Sequence, residues 1–566
     1  MSKWLALWAI IGFFACQGPK EPPNILLIVT DDQGWGDAGF HGNEVLKTPV
    51  LDSLARNSLI FDRFYVSPVC APTRASLLTG RYHLATGTSW VTHRREVMSS
   101  EEVTIAELLQ PVGYRSGLFG KWHNGKQFPH DPVGQGFQDF VGFTDGHANN
   151  YFDPVLQVGH ELQAFEGYMP DILTDKAIKF MAADDPFFCY VSYNTPHSPF
   201  QVPNEYFDTY KAMGLDDRLA CIYGMVANID QNIGRLLAAL EASGKAENTL
   251  IIFMTDNGPN GYRYNGPWKG IKSHVDEGGV HVPFLMHFSG KGWNTGEHIA
   301  YLAAHIDILP TIAEVVGAAV PDSLGIHGES LVGVMAGKTK KRLFFTHQVV
   351  RKMDTIPGAV RSDSMVLTLK ADTALYDLKN DPSQQVNLAE TWPEVRRSFA
   401  SEYQHWFEQV TSEGIVPPPI EVGHPVRRII LPAPDASAFA GVRFSGGEGW
   451  ANDFFVQEDS GAWMSWDILV KNPSAYRLRM AYSSPQPTSV EVRIGKRKHT
   501  LKVPPAEKVM IPSPDRVPRG EVYAFHWGEA ILPSIHFSPS DEELTVHLVG
   551  AVAGWELKKL TLERLE

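Results

Sequence analysis

Asn24-Ile25-Leu26-Leu27-Ile28-Val29-Thr30, running straight into Asp31-Asp32-Gln33-Gly34, is the most informative stretch of this 566-residue chain. An apolar run of β-branched residues and leucine, with no polar alternation, predicts a strand buried on both faces of a parallel sheet. Three further runs share the pattern. Residues 250–255 (LIIFMT) end in Asp256-Asn257-Gly258, and residues 187–193 lead into Thr195-Pro196-His197. The weaker run 116–119 leads into Gly120-Lys121-Trp122-His123. Amphipathic helices lie between them. The clearest spans about 217–243, with Leu219, Ile222, Val226, Ile229, Ile233, Leu236, Leu237 and Leu240 on one stripe and Gly244 placed as a C-terminal cap. Strands alternating with helices predict an α/β domain. Ligands of such sheets sit beyond the carboxyl ends of the strands. Four strand ends that each carry ionisable residues therefore point at one shared site.

The pattern changes after residue 337. Short strand-like pieces at 343–347, 365–369 and 374–377 precede a helix over 392–410, as in a small α+β subdomain. Pro417-Pro418-Pro419 and Pro432–Pro434 then read as a linker. Beyond it, 465–470, 476–482, 490–494 and 544–548 alternate apolar and polar residues, which predicts an all-β sandwich. The expected organisation is a leader and tether over 1–22, an α/β domain over 23–337, the subdomain over 338–415, the linker over 416–435 and a β-sandwich over 436–566. At the N-terminus a cationic Met-Ser-Lys precedes a short apolar core and Ala15-Cys16. That is a secretory signal resembling a bacterial lipoprotein leader, with Cys16 carrying the lipid. The expected location is the periplasm or cell surface, with the membrane touched only through that anchor.

The bulk composition narrows the function. A formal charge of −14 argues against nucleic-acid binding. It also means that an anionic substrate must meet a local basic pocket, because the overall field repels it. Only four cysteines occur, with no CxxC metal spacing. Cys189 and Cys221 read as buried thiols, with a disulfide between them left open.

Cys70-Ala71-Pro72-Thr73-Arg74-Ala75-Ser76-Leu77-Leu78-Thr79-Gly80-Arg81 carries the chemistry. A cysteine beside an arginine suits a thiolate nucleophile, but the whole string is more specific. It resembles the signature of the type I sulfatases, in which Cys-x-Pro-x-Arg is followed by Leu-Thr-Gly-Arg and the cysteine is oxidised to Cα-formylglycine. The resemblance covers about 23–410, on the alkaline phosphatase-like fold, a mixed or parallel sheet sandwiched by helices. It implies that Asp31, Asp32, Asp256 and Asn257 hold Ca²⁺, with the formylglycine at Cys70 completing the shell. Carboxylates and an amide oxygen are hard ligands that suit Ca²⁺ better than zinc. Gly120-Lys121-Trp122-His123 and Thr195-Pro196-His197-Ser198-Pro199 resemble the family's sulfate-binding blocks. Lys272, five residues before Glu277 of the Glu-Gly-Gly block, matches its last lysine, with Lys269 as rival.

The resemblance also implies a mechanism. A hydroxyl of the hydrated formylglycine, deprotonated with help from Ca²⁺ and Asp256, attacks sulfur. Arg74 stabilises the formylglycine hydroxyls, while Lys121 and Lys272 bind the sulfate oxygens. His197, assisted by Lys272, protonates the leaving alcohol, and His123 deprotonates the remaining hydroxyl. A formylglycine-generating maturase is the implied partner. The expected substrate is a sulfated polysaccharide or oligosaccharide, with Arg94, Arg95, His147 and Asn150 as candidate sugar contacts. The β-sandwich is expected to be accessory, because the catalytic set is complete before Val410; its tryptophans 450, 463, 466, 527 and 555 divide between core and sugar stacking. Rivals on the same fold are a hydrolase of small aryl sulfates and a phosphonate or phosphate ester hydrolase. A rival of another class is a lipid-anchored glycan-binding protein.

Overall fold

The computed structural model describes residues 21–348, 353–447, 452–549 and 553–565. The leader with Cys16, and Trp450, lie outside the described residues. Among those residues, ten strands form one mixed sheet: β1 (Asn24–Thr30), β2 (Leu59–Tyr65), β3 (Arg115–Lys121), β4 (Asp139–Phe143), β5 (Val155–Val158), β6 (Glu161–Ala164), β7 (Phe187–Ser192), β8 (Thr249–Thr255), β9 (Phe284–His287) and β10 (His298–Ala304). Their order is β10-β2-β9-β8-β1-β7-β3-β4-β5-β6. The centre, β8-β1-β7-β3-β4, is parallel. β9 runs antiparallel between β8 and β2, and β5 and β6 close the far edge antiparallel.

β1 shows why its sequence carries no alternation. Ile25, Leu27 and Val29 pack on one side with Leu77, Leu78, Ile308 and Ile312. Leu26 and Ile28 pack on the other with Ile229, Ile233 and Leu236 of the helix Asp217–Ala242. Helices on both faces leave no side of the strand wet. Asp216 caps that helix, its side chain accepting from the Leu219 amide, and Gly244 takes the left-handed φ of +70° just past the end. Gly120 serves closeness: a Cβ there would lie 1.8 Å from the Ser192 carbonyl oxygen. β3 and β7 can therefore pair up to the residue before Lys121. Cys189 and Cys221 are both buried free thiols, so the disulfide left open does not form.

The next unit is a four-stranded antiparallel sheet of β11 (Phe344–His347), β12 (Gly358–Arg361), β13 (Met365–Leu369) and β14 (Ala374–Asp377), covered by the helix Pro393–Val410. β12 escaped the sequence analysis, since it is only four residues long and follows Pro357. Its last residue, Arg361, reaches the large domain. Arg361 Nε donates to Glu277 Oε1 at 2.8 Å, and its other nitrogens reach Thr346 and the Val275 carbonyl. Gln384 Oε1 accepts from the Glu277 amide at 2.9 Å, and Lys370 pairs with Asp276 at 2.8 Å. The subdomain thus anchors the loop that carries Lys272.

Beyond it two sheets, antiparallel except for the parallel edge strand Ile420–Val422, enclose one apolar core containing Trp466, Trp555, Tyr476 and Leu560. Trp463 and Trp527 are half-buried. Strand formation starts inside the segment expected to be linker. Ile420–Val422 pairs with Trp463–Val470, and Arg428–Pro432 pairs with Glu556–Arg564. Alternate residues Ile420, Val422, Ile429 and Leu431 are buried there, a short pattern that the flanking prolines hid. This region is also docked on the α/β domain. Lys126 pairs with Asp435 at 2.9 Å, Gln127 donates to the Ile430 carbonyl, and Arg516 to the Val202 carbonyl. No helix among the described residues is long and apolar enough to cross a membrane.

The Arg361–Glu277 pair is almost wholly buried, so removing one partner strands a charge. Arg361→Ala is expected to cost about 3–5 kcal/mol, read from the urea midpoint of the catalytic region. A loss below about 1 kcal/mol would show that Glu277 is held without the arginine.

Candidate active site

Four central strands end at one level and deliver their next residues to one pocket. β1 supplies Asp31 and Asp32, β8 supplies Asp256 and Asn257, β3 ends in Lys121 before His123, and β7 leads to His197. The Asp256 amide donates to the Thr30 carbonyl and the Asp31 amide to Thr195, both at 3.1 Å. The fifth contribution is the buried helix Cys70–Thr79, which starts at Cys70. Its first-turn amides bring a partial positive charge to the pocket.

Arg74, one turn along, organises the floor. Its Nε and Nη2 grip Asp256 Oδ2 at 3.1 and 2.7 Å. Its Nη1 donates to the Lys121 carbonyl and the Ser192 hydroxyl. Lys121 Nζ lies 2.7 Å from Asp31 Oδ2, and Lys272 Nζ 2.5 Å from Asp32 Oδ1. Asn257 Nδ2 donates to the same Asp32 oxygen at 2.8 Å. Lys269 goes elsewhere, onto the Tyr376 hydroxyl at 3.1 Å, as part of the subdomain contact. Asp32 and His123 hold φ of 63° and 67°, a left-handed strain of the kind that surrounding structure must enforce at working sites.

The electrostatics follow from burial. Burial pushes the Asp31 carboxyl up, but Lys121, His197 and Arg74 outweigh it and hold it below the usual range. Burial is likewise overcome at Asp32 by Lys272, His197 and the bond from Asn257, which pull it down. Asp256 goes the other way: burial and the neighbouring Asp31 push it up to about 7, against Arg74 and Lys121. Burial also pushes the Cys70 thiol up, against Lys121 and Lys272, so unmodified Cys70 is a protonated thiol rather than a thiolate.

The donor set fits a hard cation. Asp31, Cys70 and Asp256 present ligand atoms within 4.8 Å of one another. Asp31 Oδ1, Asp32 Oδ2 and Asn257 Oδ1 are buried oxygens with no hydrogen-bond partner, which is costly unless something else satisfies them. Oxygen donors of this kind suit Ca²⁺.

The histidines differ. His123 Nε2 lies 2.8 Å from the Val91 carbonyl, which fixes the proton there and leaves buried Nδ1 unpartnered. Burial, then Lys121, drives its pKa well below the usual value, so it is a neutral imidazole with a free acceptor. A Cβ on Gly146 would come within 2.2 Å of this ring, so that glycine makes its room. His197 Nδ1 lies 2.6 Å from the Ser198 carbonyl, and its Nε2 faces the pocket 3.7 Å from Asp32 Oδ2.

The candidate sugar contacts divide. His147 lies beside His197, ring centroids 6.2 Å apart. Arg94 is buried and donates to the Gln127 side chain and the Pro418 carbonyl, so it ties regions together rather than facing the pocket. Asn150 donates to the Pro512 carbonyl at 3.1 Å. Arg95 helps to close the turn behind His123, its carbonyl accepting from Ser89 and Trp90.

Sequence reasoning missed several supporting residues. Ser192 donates to the Lys121 carbonyl at 2.6 Å. Arg263 holds the Asp32 carbonyl at 2.8 Å while paired with Asp37. Asp37 lies five residues past Asp32 and was readable as a candidate; Arg263 sits in a loop with no pattern. Glu521, which accepts from the Ser198 hydroxyl, comes from the far C-terminal region and carried no signal.

A family model described as Sulfatase matches residues 23–318. Human N-acetylgalactosamine-6-sulfatase is 30% identical over 369 residues, covering 58% of this chain and 69% of its own. Human arylsulfatase A is 31% identical over 453 residues, covering 67% and 86%. Among solved structures, Ps i-CgsB, in complex with k-i-k-neocarrahexaose, matches with a TM-score of 0.64 at 27% identity, over 68% of this chain and 93% of that one.

The unsatisfied oxygens predict a metal-dependent stability. Adding Ca²⁺ to chelator-treated protein is expected to raise Tm by at least about 2 °C, with Zn²⁺ less effective. Asp32→Asn is expected to abolish the Ca²⁺ shift. A shift of equal size in that variant would place the cation elsewhere.

Proposed function

The chain belongs to the sulfatase family and hydrolyses sulfate esters, and on that premise we propose that it desulfates a sulfated oligosaccharide or polysaccharide, using Ca²⁺ and a Cα-formylglycine made from Cys70. One observation carries the mechanistic part: Cys70, in its Cys-x-Pro-x-Arg context, sits where Asp31 and Asp256 converge, and burial makes its own thiol a poor nucleophile. The hydrated aldehyde supplies an attacking hydroxyl, and Ca²⁺ when bound supplies the charge that makes such an oxygen available near neutral pH. Asp31, Asp32, Asp256 and Asn257 are the residues that would hold the ion.

The chain's own groups then have distinct work. Asp256, the least acidic of the three carboxyls, is placed to accept the proton of the attacking hydroxyl. Arg74 fixes that carboxylate by a two-pronged grip. Lys121 and Lys272 enter from two sides, so both can meet sulfate oxygens and the charge that grows on them. His197 Nε2 faces the pocket and is placed to protonate the departing alcohol oxygen. His123 Nδ1, neutral and unpartnered, is placed to take the second hydroxyl's proton as sulfate leaves. Proton transfer through positioned groups of this kind contributes about 10²–10⁴-fold each.

The carbohydrate assignment is supported by two relatives. One is named for N-acetylgalactosamine-6-sulfate hydrolysis, and the other was crystallised with a neocarrahexaose.

Three outcomes test this reading. Protein co-expressed with a formylglycine-generating enzyme should carry an aldehyde on the Cys70 peptide by mass spectrometry, with activity proportional to its fraction. Full activity from all-thiol protein would refute the nucleophile. Lys272→Ala should lower kcat about 10²-fold or more, whereas Lys269→Ala should change it little; the reverse order would reassign the loop. Finally, kcat/KM should favour a sulfated oligosaccharide over a simple aryl sulfate, since contacts to the sugar must favour the transition state. Equal or better turnover of the aryl ester would defeat the carbohydrate assignment.

A further inference from the structure

His147 is only 9% exposed, yet neither ring nitrogen has a hydrogen-bond partner. Leaving both unsatisfied is costly, and a buried group left so calls for a partner that no side chain among the described residues supplies. Its neighbours are His197 and Glu521: one ligand atom from each of the three lies within 4.8 Å of the others. Burial, then His197 and Arg519, holds the imidazole neutral, so one nitrogen donates and the other accepts.

Glu521 arrives from the C-terminal β region on a segment that is fastened tightly. Arg519, its side chain fully buried, donates to the Asn149 carbonyl and side chain at 3.0 and 2.8 Å and pairs with Asp515. Gln201 donates to Asp515 at 2.7 Å and to Ser513 at 2.9 Å. The Arg516 amide donates to the Phe200 carbonyl at 2.9 Å. These bonds clamp the segment onto the two loops that carry His147 and His197. At its end Glu521 accepts from the Ser198 hydroxyl, next to the catalytic histidine.

We infer that residues 512–524 complete the substrate cleft, and that Glu521 and His147 form a subsite for hydroxyl groups of the sugar ring bearing the scissile sulfate. This rests on the carbohydrate reading above. A carboxylate accepts from a hydroxyl, and a neutral imidazole can both donate to it and accept from it. The same carboxylate repels a second sulfate or a uronate carboxylate at that position, so the subsite selects by exclusion as well as by contact. The β region is therefore part of the active-site wall and not a tethered accessory.

The experiment compares matured wild-type enzyme with Glu521→Gln and His147→Asn. Three substrates are used: an aryl sulfate, a monosulfated saccharide, and the same saccharide with a second sulfate on the neighbouring carbon. Glu521→Gln is isosteric and half-exposed, and Tm is recorded for both variants. Wild type should prefer the monosulfated sugar. Glu521→Gln should shrink that preference about tenfold, and in both variants KM for the monosulfated sugar should rise about tenfold more than KM for the aryl ester. Equal losses on aryl ester and sugar would overturn the subsite and make these residues structural or catalytic. An unchanged mono-to-disulfated ratio would overturn the exclusion role. If wild type hydrolyses the aryl ester and no saccharide, the carbohydrate reading itself fails, and the subsite with it.

Discussion

Three carboxylates and three cations share one nearly dry pocket, and the rest of the structure serves that constraint. Asp31, Asp32 and Asp256 face Arg74, Lys121 and Lys272, with only the Lys272 side chain keeping appreciable exposure, 17%. Charges so deeply placed are tolerable only when paired and hydrogen-bonded with good geometry. That demands register. β1 and β8 pair with Thr30 beside Thr255, so the next residues, Asp31 and Asp256, emerge together. β3 and β7 pair with Gly120 beside Ser192, which sets Lys121 against the Ser192 hydroxyl. A slip of one residue in either pair would send these side chains to the opposite face. The apolar sheet core, indifferent to chemistry in itself, therefore fixes where each charge stands.

The same constraint assigns unlike tasks to like residues. Asp256 has a better-geometry partner than Asp31, a two-pronged arginine, yet it is the carboxyl pushed up to about 7. The reason is burial first and the neighbouring Asp31 carboxylate next, which together outweigh Arg74 and Lys121, whereas Lys121 touches Asp31 directly at 2.7 Å. Environment, not residue type, separates a group that can take a proton from one that stays ionised. His123, buried and next to Lys121, is held neutral, and the Val91 carbonyl decides which nitrogen is free.

Much of this was legible in the sequence because it is local. A strand without alternation, followed at once by Asp-Asp or Asp-Asn, states both a buried parallel strand and a site at its end. The twelve-residue stretch from Cys70 to Arg81 carries the sulfatase signature, its cysteine and its arginine together. What could not be read is whatever depends on contacts between distant segments. Arg361 and Glu277 are 84 residues apart, and although Glu277 belongs to the Glu-Gly-Gly block nothing in the sequence marks Arg361 as its partner. Ser198 and Glu521 are 323 apart. Arg94 and Asn150 were expected to face substrate because they lie near the motif blocks; the structure spends both on carbonyls of the C-terminal region. Residues 420–432 looked like linker because prolines flank strands of three and five residues, too short for alternation to stand out.

This division has a physical basis. Attack on a sulfate ester needs the same charges in the same places whatever alcohol is attached, so those groups belong on strand ends, whose positions the sheet fixes. Recognition of the alcohol needs groups farther from sulfur, at the rim, where the loops after β4 and β7 stand. Loops alone hold a side chain less firmly than strands. Here the two loops are braced by a third body: Arg519 on Asn149, Gln201 on Asp515 and Arg516 on Phe200 join them to the β region from outside. A rim stiffened in this way loses less conformational freedom when a substrate binds. The β-sandwich thus has a reason to be docked beside the pocket rather than carried on a tether, because a flexible attachment could deliver Glu521 to the cleft but could not hold it there.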